Sequence, residues 1–235
     1  GSLNVGVLVS TAFEAAEGLP SVTMGNEPCD DGMRQRAPAV AVMGTEVLVA
    51  WLESGRRGAC GTGVLAPLRV TATSPDAPLS ALAIDLGNAN DAGPPVLLAL
   101  GASGIFILAR GDGNELVISS LSPVGSSIEV LDTQRVDLGE SVEELALTAG
   151  PSSGDGAEIA IAFSGGCGTQ SRVGLQRFGV ASADGALRQV GEPTMVEDGA
   201  AQLNPAVAFA TEFPRGYFVA WREADEEVRG QLLGE

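Results

Sequence analysis

The chain has no histidine and no lysine, so its 13 basic residues are all arginine, set against 30 acidic ones for a formal charge of -17 over 235 residues. Without histidine, neither a Ser-His-acid triad nor imidazole ligation of a metal can be assembled within it. Without lysine, Schiff-base chemistry is excluded as well. The stretch "GPSSG", which matches a G-x-S-x-G pattern around Ser152, is therefore a chance match. The acidic field repels phosphate backbones and anionic headgroups, which argues against nucleic acid or an anionic membrane surface as partner. It suits cations or basic proteins, or simply solubility.

Aromatic residues are scarce at 4%, with a single tyrosine, Tyr217. That tyrosine falls inside an apolar repeating strand and reads as packing, which argues against a tyrosine nucleophile there. Long apolar runs are also missing. The longest, "PPVLLALGASGIFILA", is broken by Gly and Ser and falls short of the ~20 residues that a membrane-spanning helix requires. Gly1-Ser2 resembles the remnant of a cleaved tag, so the lack of a leader carries no information.

Hydrophobic residues make up 45% of the chain, and 32 glycines and 13 prolines are spread through it without low-complexity tracts. Apolar residues recur with period two in short runs bounded by Gly, Pro, Asn and Asp, the pattern of an all-β protein made largely of tight turns. Only short acidic segments such as "TAFEAAEG" and "READEEVR" have helical composition, and both suit turns between strands.

One hairpin is written four times. "APAVAVMGTEVLVAW" (37–51) returns as "GPPVLLALGASGIFILAR" (93–110), "VEELALTAGPSSGDGAEIAIAF" (142–163) and "NPAVAFATEFPRGYFVAW" (204–221). A third strand follows each copy ("GTGVLAPLRV", "NELVISSL", "SRVGLQRFGV", "EEVRGQLLG") and a fourth follows the first three ("PLSALAID", "SSIEVLD", "ALRQVGEPTMV"). Repeated four-stranded antiparallel units, each with a nearly all-apolar first strand, resemble the blades of a β-propeller of bacterial secreted or surface type. The resemblance implies one domain: a partial blade and lead-in loop over 1–36, blades over 37–92, 93–141 and 142–203, and a last blade over 204–235. Trp51 and Trp221, closing the second strand in the first and last copies, are then expected to pack between blades.

The chain begins with "LNVGVLVSTAFEAAEGLPSVTMG", which reads as a third and fourth strand, and stops after the third strand of the last copy. An N-terminal strand that completes the last sheet would close a ring of four to five blades. Alternatively, the chain is a fragment of a larger ring.

Two turns carry oxygen-rich spacing: "DLGNANDAG" with Asp85, Asn88, Asn90 and Asp91, and "SSGDGAE" with Ser153, Asp155 and Glu158. Each leads into an apolar strand, and in this they resemble the calcium loops of FG-GAP propellers. That resemblance implies calcium as the one cofactor to consider, the alternative being Asx-turns without metal. Cys60 and Cys167 fall at the same point of the repeat, the turn between second and third strands, while Cys29 lies in the loop leading into the first full blade. In an antiparallel blade those two loops emerge on one face, so a Cys29–Cys60 disulfide is geometrically open, with Cys167 left over. A bridge implies an oxidising compartment, whereas three thiols imply a reducing one. Arg110-Gly111-Asp112 spells an adhesion tripeptide at an expected hairpin tip, where a plain turn is the simpler reading. Glu223 to Glu227, "EADEE", likewise reads as a solvated turn.

Three function classes remain. The first is a non-catalytic binding or scaffold module of a secreted, periplasmic or cell-surface protein, presenting loops to a protein or glycan partner. The second is a glycan-active enzyme built on two carboxylates about 5 to 9 Å apart. The third is a calcium-stabilised adhesive propeller.

Overall fold

A computed structural model describes residues 4–6, 21–23, 34–44, 46–56, 64–65, 67–73, 84–88, 94–101, 103–124, 127–166, 171–196, 201–212, 215–223 and 227–234. Every element among them is a strand. The first repeat forms β3 (Arg34–Met43), β4 (Glu46–Arg56), β5 (Val64–Leu65), β6 (Pro67–Thr73) and β7 (Ile84–Asn88), and the second forms β8 (Val96–Leu100), β9 (Ile105–Asp112), β10 (Glu115–Val124) and β11 (Ser127–Asp137). The third is β12 (Val142–Ser153), β13 (Gly156–Gly165), β14 (Arg172–Ala181) and β15 (Leu187–Met195). The last is β16 (Gln202–Ala210), β17 (Gly216–Glu223) and β18 (Val228–Gly234). Each repeat folds into its own antiparallel sheet, ordered β3-β4-β6-β7 with β5 also on β4, β8-β9-β10-β11, β12-β13-β14-β15 and β16-β17-β18.

The sheets stack face to face in chain order. Ala41, Leu48 and Ala50 of the first sheet pack on Phe106, Leu108 and Leu121 of the second. Ile107, Ile118 and Val136 of the second meet Ile159, Ile161 and Phe178 of the third. Ala160, Val173 and Leu175 of the third meet Tyr217, Val219 and Trp221 of the fourth. Strands such as β9, β10 and β13 are apolar on both faces because a blade lies on each side. The first strands β3, β8, β12 and β16 also touch one another in succession, so the blades radiate from a common inner edge. The fold is all-β, a partial β-propeller of antiparallel blades.

The repeated proline has a physical reason. Ala37-Pro38 bulges out of β3 opposite Trp51, and Asn204-Pro205 bulges out of β16 opposite Trp221. Proline cannot donate to a ladder and is tolerated at a bulge on an edge strand. Gly150-Pro151 makes the corresponding break in β12, opposite Glu158. Trp221 is buried in the joint between the third and fourth blades, as expected of an inter-blade aromatic.

At the ends, β1 (Asn4–Gly6) and β2 (Ser21–Thr23) pair antiparallel with each other. Among the described residues β18 is the outer strand of a three-stranded sheet, and the expected pairing of an N-terminal strand with that sheet is not among the described ladders.

Candidate binding cleft at the end of the third blade

In an antiparallel blade the first-to-second and third-to-fourth turns emerge at the same end. On the third blade these are Gly154-Asp155 and Ser182–Asp184, and Ser182 N donates to Asp155 O at 3.1 Å, tying the two tips together. Arg215, just before β17, comes from the matching turn of the fourth blade. Between them opens a cleft of about 670 Å³, lined among others by Asp155, Glu158, Val180, Leu187, Arg188 and Arg215. Its walls are mostly apolar, with charges of both signs around them. Ser152, from the chance motif, is an exposed residue at its rim.

Glu158 is the best-fixed polar group of this cleft. Tyr217 Oη donates to Glu158 Oε1 at 2.6 Å, and Arg177 Nη1 stands 3.6 Å from the same oxygen. A phenol and a guanidinium thus converge on one carboxylate, a charge-assisted arrangement that holds it in place. The bulge at Gly150-Pro151 makes room for this: a Cβ at Gly150 would collide with the Tyr217 hydroxyl. The Tyr217 ring lies 5.0 Å from that of Phe209, tilted at 50°. The Arg215 guanidinium sits 5.7 Å over the Phe209 ring, within cation–π reach. A connected row, Arg215–Phe209–Tyr217–Glu158–Arg177, therefore crosses from the fourth blade to the third beneath the cleft.

Hydrogen bonds seal the remaining joints. Between the second and third blades, Leu187 N donates to Asp132 Oδ2 at 2.8 Å and Ser120 Oγ to Gly185 O at 2.7 Å. The bond from Leu187 N, with help from Thr133 N and the Gln134 amide, holds the Asp132 carboxyl below its ordinary range. On the inner edge, Asn204, in the left-handed region at φ 51°, donates to Glu144 from both its backbone N (2.5 Å) and its Nδ2 (2.7 Å). Nearby, Gln202 Oε1 accepts from Val173 N at 2.9 Å.

Of the expected metal ligands, Asp85, Asn88, Asp155 and Glu158 lie among the described residues. Asp85 and Asn88 stand on β7, Asp85 opposite Arg69 in the ladder, while Asn90 and Asp91 lie outside the described residues. Asp155 is exposed at its turn, and Glu158 is turned to Tyr217 and Arg177. No group of three or more His, Cys, Asp or Glu among the described residues is placed to hold a metal ion. Cys29, Cys60 and Cys167 all lie outside the described residues.

Arg110-Gly111-Asp112 is a correction to the expected hairpin tip. The three residues end β9, the turn falls at Gly113-Asn114, and Arg110 is buried. Burial pushes the Arg110 guanidinium below its ordinary pKa, opposed by Asp112 at 3.2 Å. A buried arginine is not offered to a partner, so the tripeptide is part of the sheet.

Sequence reading missed the hydroxyl of Tyr217 and the arginines at 177, 188 and 215. One signal was available. In the repeat, Tyr217 occupies the place that Val47 holds in the first copy, and a polar atom introduced at an apolar repeat position needs a buried partner.

No protein-family model matches the chain, and no curated protein matches it. Among solved structures, an α-L-arabinofuranosidase from Podospora anserina aligns with a TM-score of 0.43 and 12% identity over 88% of this chain and 66% of its own. A protein described under the GH130 family of mannoside phosphorylases aligns with a TM-score of 0.45 and 11% identity over 87% and 68%. A Trypanosoma rangeli sialidase aligns with a TM-score of 0.43 and 11% identity over 98% and 40%. The chain thus spans between 40% and 68% of the length of these structures.

Proposed function

We propose that the chain is a non-catalytic binding module of a secreted, periplasmic or cell-surface protein, and that the cleft on the third blade receives a segment of a protein partner. The make-up of the cleft carries this reading. Its apolar walls at Val180 and Leu187 suit an aliphatic side chain, and Arg188, Arg215 and Asp155 suit flanking charges. Of its two carboxylates among the described residues, Glu158 is already engaged by Tyr217 and Arg177, a structural role rather than that of a proton donor poised over a substrate. Among the described residues that line it, none is an aromatic on which a sugar ring would stack.

The test uses a displayed random-heptapeptide library and a glycan array against the immobilised protein, with Arg188→Glu/Arg215→Glu as the variant. Selected peptides are expected to carry an acidic residue beside an aliphatic one and to bind the double variant at least about tenfold more weakly, the loss of roughly one charge-assisted contact. Glycan binding lost in the variant would replace the partner class. Glycoside turnover abolished by Glu158→Gln would replace the module by the carboxylate-dependent enzyme. An FG-GAP-like, calcium-stabilised adhesive propeller is the remaining reading, and a rise in Tm on adding calcium, lost in Asp155→Asn, would favour it.

A further inference from the structure

Glycine inside a β-strand weakens the strand and leaves its face bare, so each one calls for a local cause. Within the strands from β9 to β18, away from their ends, the causes are mostly visible. A Cβ at Gly111 would run into Val142 O, at Gly150 into the Tyr217 hydroxyl, at Gly174 into the Phe163 ring and at Gly230 into the Phe218 ring, while Gly191 has a left-handed φ of 69°. Gly179 in β14 has neither cause. Its φ lies outside the left-handed region, and the atoms nearest to an added Cβ are Arg188 O at 3.9 Å and Val190 Cγ2 at 4.0 Å, ordinary contact distances. The protein itself would accept a side chain there, so what Gly179 keeps open is space. That space belongs to the cleft on the third blade, which Gly179 lines.

The ladder fixes what surrounds the gap. Gly179 pairs with Glu158 on one side and with Arg188 on the other, so all three share one face, the face on which Glu158 reaches Tyr217 of the fourth blade. Strands lie about 4.7–4.9 Å apart, which sets the Glu158 and Arg188 backbones about 9–10 Å apart with no side chain between them. Along β14 the same face carries Arg177 before Gly179 and Ala181 after it, each about 6.5 Å away. The result is a notch flanked by Glu158, Arg177 and Arg188, and Arg215 lines the same cleft from the start of the fourth blade's second strand. Its charge follows from those neighbours. Glu158 already accepts from Tyr217 at 2.6 Å and has Arg177 at 3.6 Å, so its charge is countered within the protein. Arg188 is exposed and makes no ion pair among the described residues. Arg177, Arg188 and Arg215 set against Asp155 and Glu158 make this a locally positive spot on a chain of formal charge -17.

We infer that the notch over Gly179 admits an acidic side chain of the partner segment, whose carboxylate takes Arg188 as its counter-ion, and that Gly179 is the residue setting this selectivity. The inference rests on the reading of the cleft as the seat of a partner segment. It adds which residue of that segment is chosen, and by what.

The probes are two end-blocked heptapeptides, one with a central aspartate between two leucines and one with asparagine in its place, titrated by calorimetry against the full chain and its Gly179→Ala and Gly179→Val variants. The wild type is expected to bind the aspartate peptide at least about tenfold more tightly than the asparagine peptide, the worth of one charge-assisted contact. Gly179→Ala should weaken the aspartate peptide by about threefold and Gly179→Val by about tenfold or more, bringing it level with the asparagine peptide. The Tm of Gly179→Ala should stay at or above the wild-type value, and its graded loss carries the test should Gly179→Val not fold. Equal binding of the aspartate peptide by wild type and both variants would overturn the inference and leave the cleft reading in place, because the segment would then not enter the notch. Equal binding of the two peptides by the wild type would also overturn it, since the guest would not be chosen for its charge. A fall in Tm for Gly179→Ala would overturn it by showing that the glycine serves the fold. Failure of every library peptide to bind the wild type would instead remove the cleft reading, and the inference with it.

Discussion

Replacing Tyr217 by phenylalanine removes one hydroxyl and leaves the ring in place against Phe209. The lost bond, 2.6 Å long, ends on the Glu158 carboxylate, and hydrogen bonds to charged groups contribute about 1.5–3 kcal/mol. The Glu158 side chain is 22% exposed and keeps Arg177 at 3.6 Å, so water takes over part of the acceptor and the loss falls near the lower end, about 1.5 kcal/mol. In a domain of this size each kcal/mol moves Tm by about 2–4 °C, which gives a drop of about 3–6 °C. Gly150→Ala approaches the same contact from the other side, since its Cβ would meet the Tyr217 hydroxyl and lie 3.3 Å from the Glu158 carbonyl oxygen. Overpacking of this kind costs about 1–3 kcal/mol. The two changes are coupled. In the Tyr217→Phe background the hydroxyl is gone, and Gly150→Ala is expected to cost about 1 kcal/mol less than in the wild type, measured by denaturant unfolding as a double-mutant cycle. Equal cost in both backgrounds, with no measurable Tm change for Tyr217→Phe alone, would refute the idea that the bulge exists to admit the hydroxyl.

Asp132→Asn is expected to weaken the joint between the second and third blades at neutral pH. The folded carboxyl lies below its ordinary range, mainly through Leu187 N, so its contribution is fully present above the unfolded value of about 3.9 and is lost as pH falls through the folded value; melts from pH 7 downward should therefore converge for wild type and variant in acid. Gly185→Ala should lower stability by about 1–3 kcal/mol, because Gly185 has φ 70° and a Cβ there would collide with Leu131; an unchanged chemical-denaturation midpoint would contradict this. Asp112→Asn leaves the buried Arg110 guanidinium without its carboxylate at 3.2 Å and should cost about 2 kcal/mol, read by calorimetry, with Arg110→Met in the same background recovering part of it.

The architecture was legible because it is written locally and repeatedly. Apolar first strands such as that of Val40, Ala41 and Val42 and glycine- and proline-bounded runs recur at each blade, the closing tryptophan returns in the last copy, and the sheets form from strands close in sequence. The cleft was not legible in the same way. Glu158 and Tyr217 are 59 positions apart, and only the stacking of two whole blades brings them together. Asp155 and Glu158 share a suggestive acidic spacing, yet the β13 ladder turns Glu158 toward the fourth blade and leaves Asp155 at the tip. Arg110-Gly111-Asp112 misleads for a related reason: the tripeptide has the composition of an exposed turn, while the pairing of Arg110 with Val117 places it inside a strand.

The prolines of the first strands have a further consequence. Pro38 lies in β3, Pro94 and Pro95 immediately precede β8, Pro151 lies in β12 and Pro205 in β16. Each of these strands is the edge of its sheet, and an edge of small apolar residues is a template on which another chain's strand can grow. A residue that donates no backbone bond, set in three of the four cases within a break in the ladder register, interrupts that template about once per strand. The same residues that make the repeat recognisable thus act as guards against edge-to-edge polymerisation, an insurance needed most while a chain of similar blades is still sorting out which sheet belongs to which.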